Sequence, residues 1–182
     1  MASRLRIRIA GSGGQGVVLA GVMLAEAAVL AGLNATQSQV YGPQSRGGAS
    51  RSDVIISDGE IGFPRAEALD VLVALTDAAC AGYIAELVPG GLLLVDSACL
   101  VPPNGPWNEH RLPIIAAAAG AGALLAANVV ALGALLELTG IVPLPALENV
   151  VAARVPVSLR PLNLAALAAG ARIAARVEAV HG

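Results

Sequence analysis

The sequence predicts an α/β fold of three layers, α/β/α, with a mixed and mostly parallel sheet in a single domain over residues 1–182. Three observations predict it. Short apolar runs alternate along the chain with longer segments of helical composition, which is the element order of doubly wound proteins. A glycine-rich turn joins the first predicted strand to the first predicted helix, as in a Rossmann-like βα unit. The 182 residues are enough to bury one substantial core.

The first third of the chain predicts one half of the sheet. Strands are predicted at 5–10, 35–40, 50–57 and 60–63, and a helix at 15–31. In the first strand, apolar side chains alternate with Arg6 and Arg8, which gives the strand one polar face. Gly32 follows the helix, as glycine often does just past a helix end. Asp58-Gly59 is typical of a hairpin, so residues 60–63 are expected to return antiparallel and make the sheet mixed.

The rest of the chain predicts further strands and four helices. The strands are expected at 69–75, 92–95 and 110–115, and the helices from Asp77 towards Leu87, at 123–139, at 143–151 and near the C-terminus. The continuous apolar run 69–75 is typical of a buried parallel strand, and Asp77 is expected to cap the helix that follows. The apolar face of the last helix is predicted from residues at helical spacing: Leu162, Ala166, Ala169, Ile173, Val177 and Val180.

Composition excludes several classes of function. A net charge of -2 leaves no basic face, so a nucleic-acid partner is not expected. Two cysteines, Cys80 and Cys99, are too few for a zinc or iron–sulfur site and are interpreted as buried residues of a reducing compartment. His110 and His181 lie far apart and form no recognisable ligand pair. A redox cluster would therefore have to lie on another chain, and no metal-binding residue is expected here.

One segment raises the question of a membrane. Residues 114–136 contain no charged side chain, which meets the length criterion for a spanning helix. Gly120, Gly122 and Asn128 interrupt the segment, and its alanines add little affinity for lipid. We favour a buried helix of a cytoplasmic protein with no membrane partner. Residues 1–10 lack the apolar core of a signal peptide and are interpreted as a strand.

The first candidate site is the glycine-rich turn after the first strand. Glycines at its first, third and sixth positions permit a tight turn and close approach of a ligand, and the helix start behind it leaves unpaired N–H groups for an anion. The candidate binding residues are Gly11, Gly13, Gly14, Gln15 and Gly16. The alternative is that these glycines only let the strand and helix pack closely. A dinucleotide is disfavoured because no acidic residue occurs between Glu26 and Asp53, and a chain without lysine has no P-loop.

The second candidate site is the turn-rich segment that follows the second predicted strand. Its candidate binding residues are Tyr41, Arg46, Gly47 and Gly48. A guanidinium held between turn residues suits a phosphate or a partner's carboxylate, and the two glycines admit a ligand or another chain. Tyr41 can stack or hydrogen-bond at the same loop. The alternatives are a solvated surface arginine and an ordinary half-buried tyrosine.

Two further polar residues have structural explanations. Asp96 ends a predicted parallel strand at the sheet edge where ligands of α/β proteins bind, but a helix cap or a turn hydrogen bond explains it as well. Asn128 lies inside an apolar helix and is expected to be hydrogen-bonded, because burying an unpaired amide costs about 2 kcal/mol or more.

Taken together, the two loops resemble one protein family. The segments Gly11-Ser12-Gly13-Gly14-Gln15-Gly16 and Tyr41-Gly42-Pro43-Gln44-Ser45-Arg46-Gly47-Gly48 resemble those of the gamma subunit, or gamma domain, of the 2-oxoacid:ferredoxin oxidoreductases. Further similar features are Ile56-Ser57-Asp58 with Ile61 and Pro64, the strand 70–75, the segment 90–97, Asn128 with Gly133, and Asn163 with Gly170. The resemblance spans nearly the whole chain and departs from the family mainly in the alanine-rich run after Pro113.

The resemblance implies a non-catalytic subunit of a larger enzyme. Such enzymes convert a 2-oxoacid and coenzyme A to an acyl-CoA and carbon dioxide, with electrons passing to ferredoxin. Thiamine diphosphate, Mg²⁺ and [4Fe-4S] clusters would then lie on the alpha and beta subunits, with or without a delta subunit. Coenzyme A is a candidate shared ligand of the two loops, which can equally contact a partner subunit.

The resemblance also bears on substrate and on the alternatives. The segment 41–48 favours 2-oxoglutarate over pyruvate as the 2-oxoacid. The isolated chain is expected to be inactive, with no catalytic residue of its own and only indirect contact with ferredoxin. The alternative function is a free-standing Rossmann-like NAD- or FAD-binding protein, and a small membrane protein is a more distant one.

Overall fold

Six strands form one mixed sheet in the part of the chain that the computed structural model describes, residues 4–41, 49–62, 68–100 and 105–181. The strands are β1 (Arg4–Ser12), β2 (Asn34–Tyr41), β3 (Ala49–Ser57), β4 (Leu69–Ala74), β5 (Leu87–Asp96) and β6 (Asn108–Leu112). They lie in the order β2-β3-β1-β4-β5-β6. The pairs β1–β4, β4–β5 and β5–β6 are parallel, whereas β3 runs antiparallel to both β1 and β2.

The sheet is mixed as predicted, but the antiparallel strand is not the predicted one. Residues 60–62 follow β3 without pairing as a strand, and Phe63 lies outside the described residues. The Ser57 hydroxyl accepts a hydrogen bond from the Gly59 N–H at 3.0 Å, and the Gly59 carbonyl accepts one from Asn34 Nδ2 at 3.2 Å. These bonds use the polar groups of the turn, so the Asp58-Gly59 hairpin prediction is wrong and β3 itself supplies the antiparallel pairing.

Six helices accompany the strands in the described ranges. They are α1 (Val17–Leu30), α2 (Asp77–Tyr83), α3 (Ile114–Gly120), α4 (Ala127–Thr139), α5 (Leu144–Arg154) and α6 (Arg160–His181), with 3-10 turns at Ile84–Glu86, Leu124–Ala126 and Val157–Leu159. The predicted strand 110–115 ends at Leu112, because Ile114 already begins α3. The uncharged run 114–136 is thus divided between two helices. No helix of the described residues is both long and apolar enough to cross a membrane.

The helices cover the two faces of the sheet unequally. Ile7 and Ile9 of β1 point into a core that α1, α3, α4, α5 and α6 share. Ala10 points into a second core, beneath α2. Alternate residues of a strand face opposite sides of a sheet, so each central strand contributes to both cores. The three-layer α/β/α prediction is confirmed, with one layer much thinner than the other.

The end of α1 agrees with its sequence signal, whereas the start of α2 does not. Gly32 lies just past α1 with a φ of 82°, and the Leu33 N–H donates to the Ala28 carbonyl at 3.0 Å, so the predicted stop is confirmed. Asp77 does not cap α2: Thr76 Oγ1 accepts from the Ala79 N–H at 3.2 Å. The Asp77 carboxylate instead accepts from the Leu100 N–H at 2.7 Å, which ties the loop after β5 to the start of α2.

Close contact between α4 and α6 decides which face of α6 is buried. A Cβ added to Gly170 would meet the Val130 carbonyl, and a Cβ added to Gly133 would meet the Leu167 carbonyl. Among the α6 residues whose burial is described, up to residue 177, the buried ones are Ala166, Leu167, Ala169, Gly170 and Ala174. Of the predicted apolar face, Ala166 and Ala169 are buried and Ile173 and Val177 pack partly buried against the core, whereas Leu162 is 38% exposed.

The strand β5 begins earlier than predicted. It starts at Leu87, whereas the sequence predicts a start at Leu92. The pairing of β4 with β5 shifts register between Leu69 and Val71, opposite Pro89-Gly90-Gly91. These three residues therefore form an irregularity inside the strand and not a turn before it.

Candidate functional site

The glycine-rich turn lies at a switch point of the sheet. Its residues 13–16 connect the carboxyl end of β1 to α1, which covers one face, while α2 leaves the adjacent parallel strand β4 for the other face. The Leu75 N–H donates to the Ala10 carbonyl at 3.0 Å, which holds the ends of β1 and β4 together. Open α/β sheets bind their ligands outside the carboxyl ends of strands at such a point. The predicted loop therefore lies at the end of the sheet where ligands of open α/β proteins commonly bind, and its own contact with a ligand stays a prediction.

Two residues of the loop are turned inward. The Gln15 N–H donates to the Ser12 carbonyl at 3.2 Å, and the Ser12 N–H donates to Gln15 Oε1 at 2.7 Å. Gly11 lies against that amide, since a Cβ at Gly11 would meet Gln15 Oε1. Gln15 and Gly11 thus shape the turn from within, and their predicted contact with a ligand stays a prediction.

Two other glycines of the loop face outward, and Gly16 is half-buried. Gly13 and Gly14 are exposed, and within the described residues no acceptor is found for the N–H groups of Gly13, Gly14 and Gly16. The first intrahelical bond of α1 runs from the Ala20 N–H to the Gly16 carbonyl at 2.9 Å, so the three N–H groups before Ala20 have no partner in the helix. The first turn of α1 carries no acidic residue. The loop therefore presents free donors and the positive end of a helix dipole.

Asn128 of α4 holds the end of this loop. Its Nδ2 donates to the Gly16 carbonyl at 3.0 Å, and its side chain is 4% exposed. Gly16 has a φ of 69°, and a Cβ there would lie 2.7 Å from Asn128 Nδ2. The prediction of a hydrogen-bonded Asn128 is confirmed, but its partner was missed. The available signal was that Asn128 is the single polar side chain in the run 114–136.

The second predicted loop lies mostly outside the described residues. Tyr41 is the last residue of β2 and pairs with Ser50, which pairs on its other side with Gly11. The backbone of Tyr41 therefore lies two strand spacings, about 10 Å, from the first glycine of the loop. The Tyr41 side chain and residues 42–48, with Arg46, Gly47 and Gly48, lie outside the described residues, so their roles stay predictions.

Asp96, at the carboxyl end of β5, has a structural role. It is 3% exposed, and its Oδ1 accepts from the Ala98 N–H at 3.0 Å. Its Oδ2 accepts from the Ile115 N–H at 2.8 Å. The carboxylate thus closes a turn and satisfies a donor in the first turn of α3, as the structural explanation from the sequence predicts.

A buried charged cluster lies under α2, and the sequence did not indicate it. Arg8 is 2% exposed and donates to both carboxylate oxygens of Asp53 at 2.6 and 2.8 Å, and to Glu86 at 2.7 Å. Its guanidinium lies 4.8 Å from the ring centroid of Tyr83. Desolvation lowers the pKa of Arg8, but the bonds to Asp53 and Glu86 outweigh it and the net pKa is raised. The cluster holds α2 against the sheet.

The cysteines are unsuited to catalysis or to metal binding. Cys80 and Cys99 are free and buried. Burial raises the pKa of both thiols, and the nearby Asp96 adds to the effect at Cys99, whose pKa rises to about 11. A buried neutral thiol is inert. Across the described ranges, no group of three or more His, Cys, Asp or Glu side chains could hold a metal ion.

Comparison with known proteins relates this fold and loop to one family. The model of the family named pyruvate ferredoxin/flavodoxin oxidoreductase matches residues 6–173. The 2-oxoglutarate synthase subunit KorC of Methanothermobacter thermautotrophicus is 43% identical over 176 residues, which cover 92% of this chain and 93% of that subunit.

Two solved structures share the fold over almost the whole chain. The gamma subunit of a keto/oxoacid ferredoxin oxidoreductase from Geobacter sulfurreducens has a TM-score of 0.87 at 46% identity, covering 96% of this chain and 98% of that one. The 2-oxoglutarate:ferredoxin oxidoreductase of Magnetococcus marinus, solved with 2-oxoglutarate, coenzyme A and succinyl-CoA bound, has a TM-score of 0.86 at 25% identity. That match covers 95% of this chain and 31% of the longer one. The chain therefore belongs to the pyruvate ferredoxin/flavodoxin oxidoreductase family, as a gamma subunit of a 2-oxoacid:ferredoxin oxidoreductase complex.

Proposed function

We propose that the chain is the gamma subunit of a 2-oxoglutarate:ferredoxin oxidoreductase. The complex would convert 2-oxoglutarate and coenzyme A to succinyl-CoA and carbon dioxide, and two electrons would pass to ferredoxin. The observation that carries the proposal is similarity over almost the full length to a subunit named for 2-oxoglutarate synthase, at 43% identity, in Methanothermobacter thermautotrophicus.

The chemistry is proposed to be divided among subunits of a cytoplasmic complex. Thiamine diphosphate, Mg²⁺ and [4Fe-4S] clusters would be bound by the alpha and beta subunits, with or without a delta subunit. This chain would contribute one domain, residues 1–182, to the assembly. The inert thiols of Cys80 and Cys99 support a role without covalent or redox chemistry of its own.

The glycine loop is proposed to contact the phosphates of coenzyme A. The N–H groups of Gly13, Gly14 and Gly16, for which the described residues offer no acceptor, and the start of α1 supply donors and positive potential without a competing carboxylate. Phosphate groups bind well at such helix starts. Arg46, between Tyr41 and β3, would add a charged donor from the neighbouring loop, with Gly47 and Gly48 admitting the ligand.

The free-standing dinucleotide-binding alternative is not favoured. A dinucleotide fold places a carboxylate at the end of its second strand to hold a ribose hydroxyl. The β2 segment, Asn34–Tyr41, contains no acidic residue. The full-length relatives reported above are subunits of oxidoreductases.

The substrate is tested with the complex assembled from co-expressed subunits. We expect coenzyme-A-dependent reduction of a viologen dye with 2-oxoglutarate at a kcat/KM at least tenfold above that with pyruvate, and no turnover by the isolated chain. Equal or better use of pyruvate would contradict the assignment to 2-oxoglutarate.

The contact with coenzyme A is tested by a matched pair of variants. Gly14 and Gly32 have φ values of 90° and 82°, and a Cβ on either would meet nothing within 4 Å. Alanine at each position therefore costs a similar backbone strain, about 1–2 kcal/mol, at opposite ends of α1. We expect Gly14→Ala to raise the KM for coenzyme A and Gly32→Ala to leave it unchanged. Equal KM values in both variants would count against a contact at this loop.

A further inference from the structure

Asn128 makes a specific long-range contact with the glycine loop. It occupies the second position of α4, is buried, and lies 112 residues along the chain from its partner Gly16. An unpaired amide at this position would be costly, whereas an apolar residue would suit the surrounding helix better. The amide is satisfied by one particular acceptor, the Gly16 carbonyl, which ends the loop and begins α1.

The bond fixes a peptide plane as well as a carbonyl. The Gly16 carbonyl accepts from the Ala20 N–H at 2.9 Å and from Asn128 Nδ2 at 3.0 Å, so both of its lone pairs are used. The peptide between Gly16 and Val17 is planar and trans. Holding its carbonyl therefore fixes the Val17 N–H, which points the opposite way, out of the helix start.

Among the described residues, no side chain other than that of Asn128 is seen to hold the start of α1 by a hydrogen bond. A side chain at the N-cap often accepts from the first turn of a helix, but Gly16 has no side chain and no side-chain cap is present at α1. The φ of 69° at Gly16 is a conformation that a glycine leaves easily. Asn128 is itself held by α4, which is locked against α6 at Gly133 and Gly170. A rigid helix thus supplies the restraint that the loop lacks.

We propose that Asn128 is a positioning residue for the binding of coenzyme A: its bond to the Gly16 carbonyl orients the Val17 N–H and the neighbouring donors towards the phosphates. This inference rests on the proposed contact between the glycine loop and coenzyme A. Asn128 does not touch the ligand, and its effect is exerted through the backbone of Gly16.

The experiment uses the complete oxidoreductase with three variants of this subunit. Asn128→Leu removes the amide and keeps the branching at Cγ, and Asn128→Asp keeps the shape of the side chain but turns a carboxylate towards the Gly16 carbonyl. Asn163→Leu is the matched control, because Asn163 on α6 also donates to a backbone carbonyl, that of Leu159 at 2.9 Å. Steady-state kinetics is measured for coenzyme A and 2-oxoglutarate, and hydrogen–deuterium exchange of residues 11–20 is measured with and without coenzyme A.

We expect Asn128→Leu to raise the KM for coenzyme A about three- to tenfold, because hydrogen bonds to a charged group lose strength when misaligned. Asn128→Asp is expected to raise it more, since its charge repels the carbonyl. In both variants, kcat and the KM for 2-oxoglutarate stay at wild-type values while exchange of residues 11–20 becomes faster. Asn163→Leu is expected to change none of these quantities.

Each contrary outcome has a separate meaning. If coenzyme A protects residues 11–20 in the wild type but both Asn128 variants keep its KM, the inference is overturned and the proposed contact stands. If coenzyme A protects nothing in residues 11–20 of the wild type, the proposed contact fails and the inference with it. A common fall in kcat with a rise in both KM values would also overturn it, because it would show a general folding role.

Discussion

The contact between α4 and α6 yields a sharp prediction for Gly170→Ala. Alanine is favoured over glycine inside a helix by about 1 kcal/mol, so this substitution would stabilise an isolated α6. In the folded chain the new Cβ would meet the Val130 carbonyl oxygen, with the Val130 carbonyl carbon at 2.8 Å and the Ala134 nitrogen at 2.9 Å. These are backbone atoms, which cannot rotate away as a side chain does. The helices must therefore separate.

The magnitude follows from the two opposing effects. Overpacking of a well-packed core costs about 1–3 kcal/mol, and separation here also loosens the contact of Gly133 with Leu167. Taking about 3 kcal/mol for the packing cost and subtracting about 1 kcal/mol for helix propensity leaves a net loss of about 2 kcal/mol. A matched control is Gly82→Ala in α2, where a Cβ would meet nothing within 4 Å. That substitution is expected to stabilise by about 0.5–1 kcal/mol.

The assay is urea denaturation of the purified subunit, followed by circular dichroism, for the wild type and both variants. The free energy of unfolding is compared at equal m-values. A Gly170→Ala variant as stable as Gly82→Ala would refute the reasoning, because it would show that α4 and α6 are not in backbone contact.

Two further predictions concern the charged cluster and a buried thiol. Asp53→Asn is expected to destabilise by about 1.5–3 kcal/mol, because the buried Arg8 loses its bidentate carboxylate and keeps the ion pair with Glu86. Glu109→Gln, which breaks the more exposed pair with Arg111, should cost less than about 1 kcal/mol in the same assay. The raised pKa of Cys99, about 11 against 9.0 for the ordinary thiol, means that the unfolded chain ionises first as the pH rises. The neutral Cys99 thiol therefore contributes fully to the free energy of unfolding below about pH 9, and this contribution is lost between about pH 9 and pH 11 with a slope near 1.4 kcal/mol per pH unit. Cys99→Ala should remove this slope. A variant with the same slope as the wild type would contradict the prediction.

Most of the elements were predictable because their signals are local. The apolar run 69–75 predicts β4, and Gly32 predicts the end of α1, since burial in a parallel sheet and termination of a helix each depend on a few consecutive residues. Where two neighbouring residues are equally good candidates for one role, the sequence does not show which of them fills it. Thr76 and Asp77 are both good caps for α2; in the fold Thr76 caps the helix, and the Asp77 carboxylate accepts from the Leu100 N–H instead.

The start of α3 shows a long-range contact overriding a local preference. Ile114 and Ile115 are β-branched and favour the predicted strand. In the fold, the Asp96 carboxylate accepts from the Ile115 N–H, so this pair lies in the first turn of a helix. A carboxylate 19 residues away cannot be read from a local pattern.

The candidate site also has a part that was predictable from neighbouring residues and a part that was not. The position of the glycine loop after β1 and before α1 was predictable, because glycine spacing and flanking elements are adjacent in sequence. The role of Asn128 was not, since its acceptor is 112 residues away and an amide in an apolar helix can bond to many groups. Arg46 lies outside the described residues and stays a prediction.

The sequence by itself determined most of the strands and helices, the glycine loop and the family resemblance, because each is encoded by neighbouring residues. Only the tertiary structure decided that Arg8 is buried with Asp53 and that Asn128 holds Gly16. These pairings arise when separate elements pack, and the free energy of packing depends on which atoms then come within contact distance. Periodicity along one element carries no information about its partner on another.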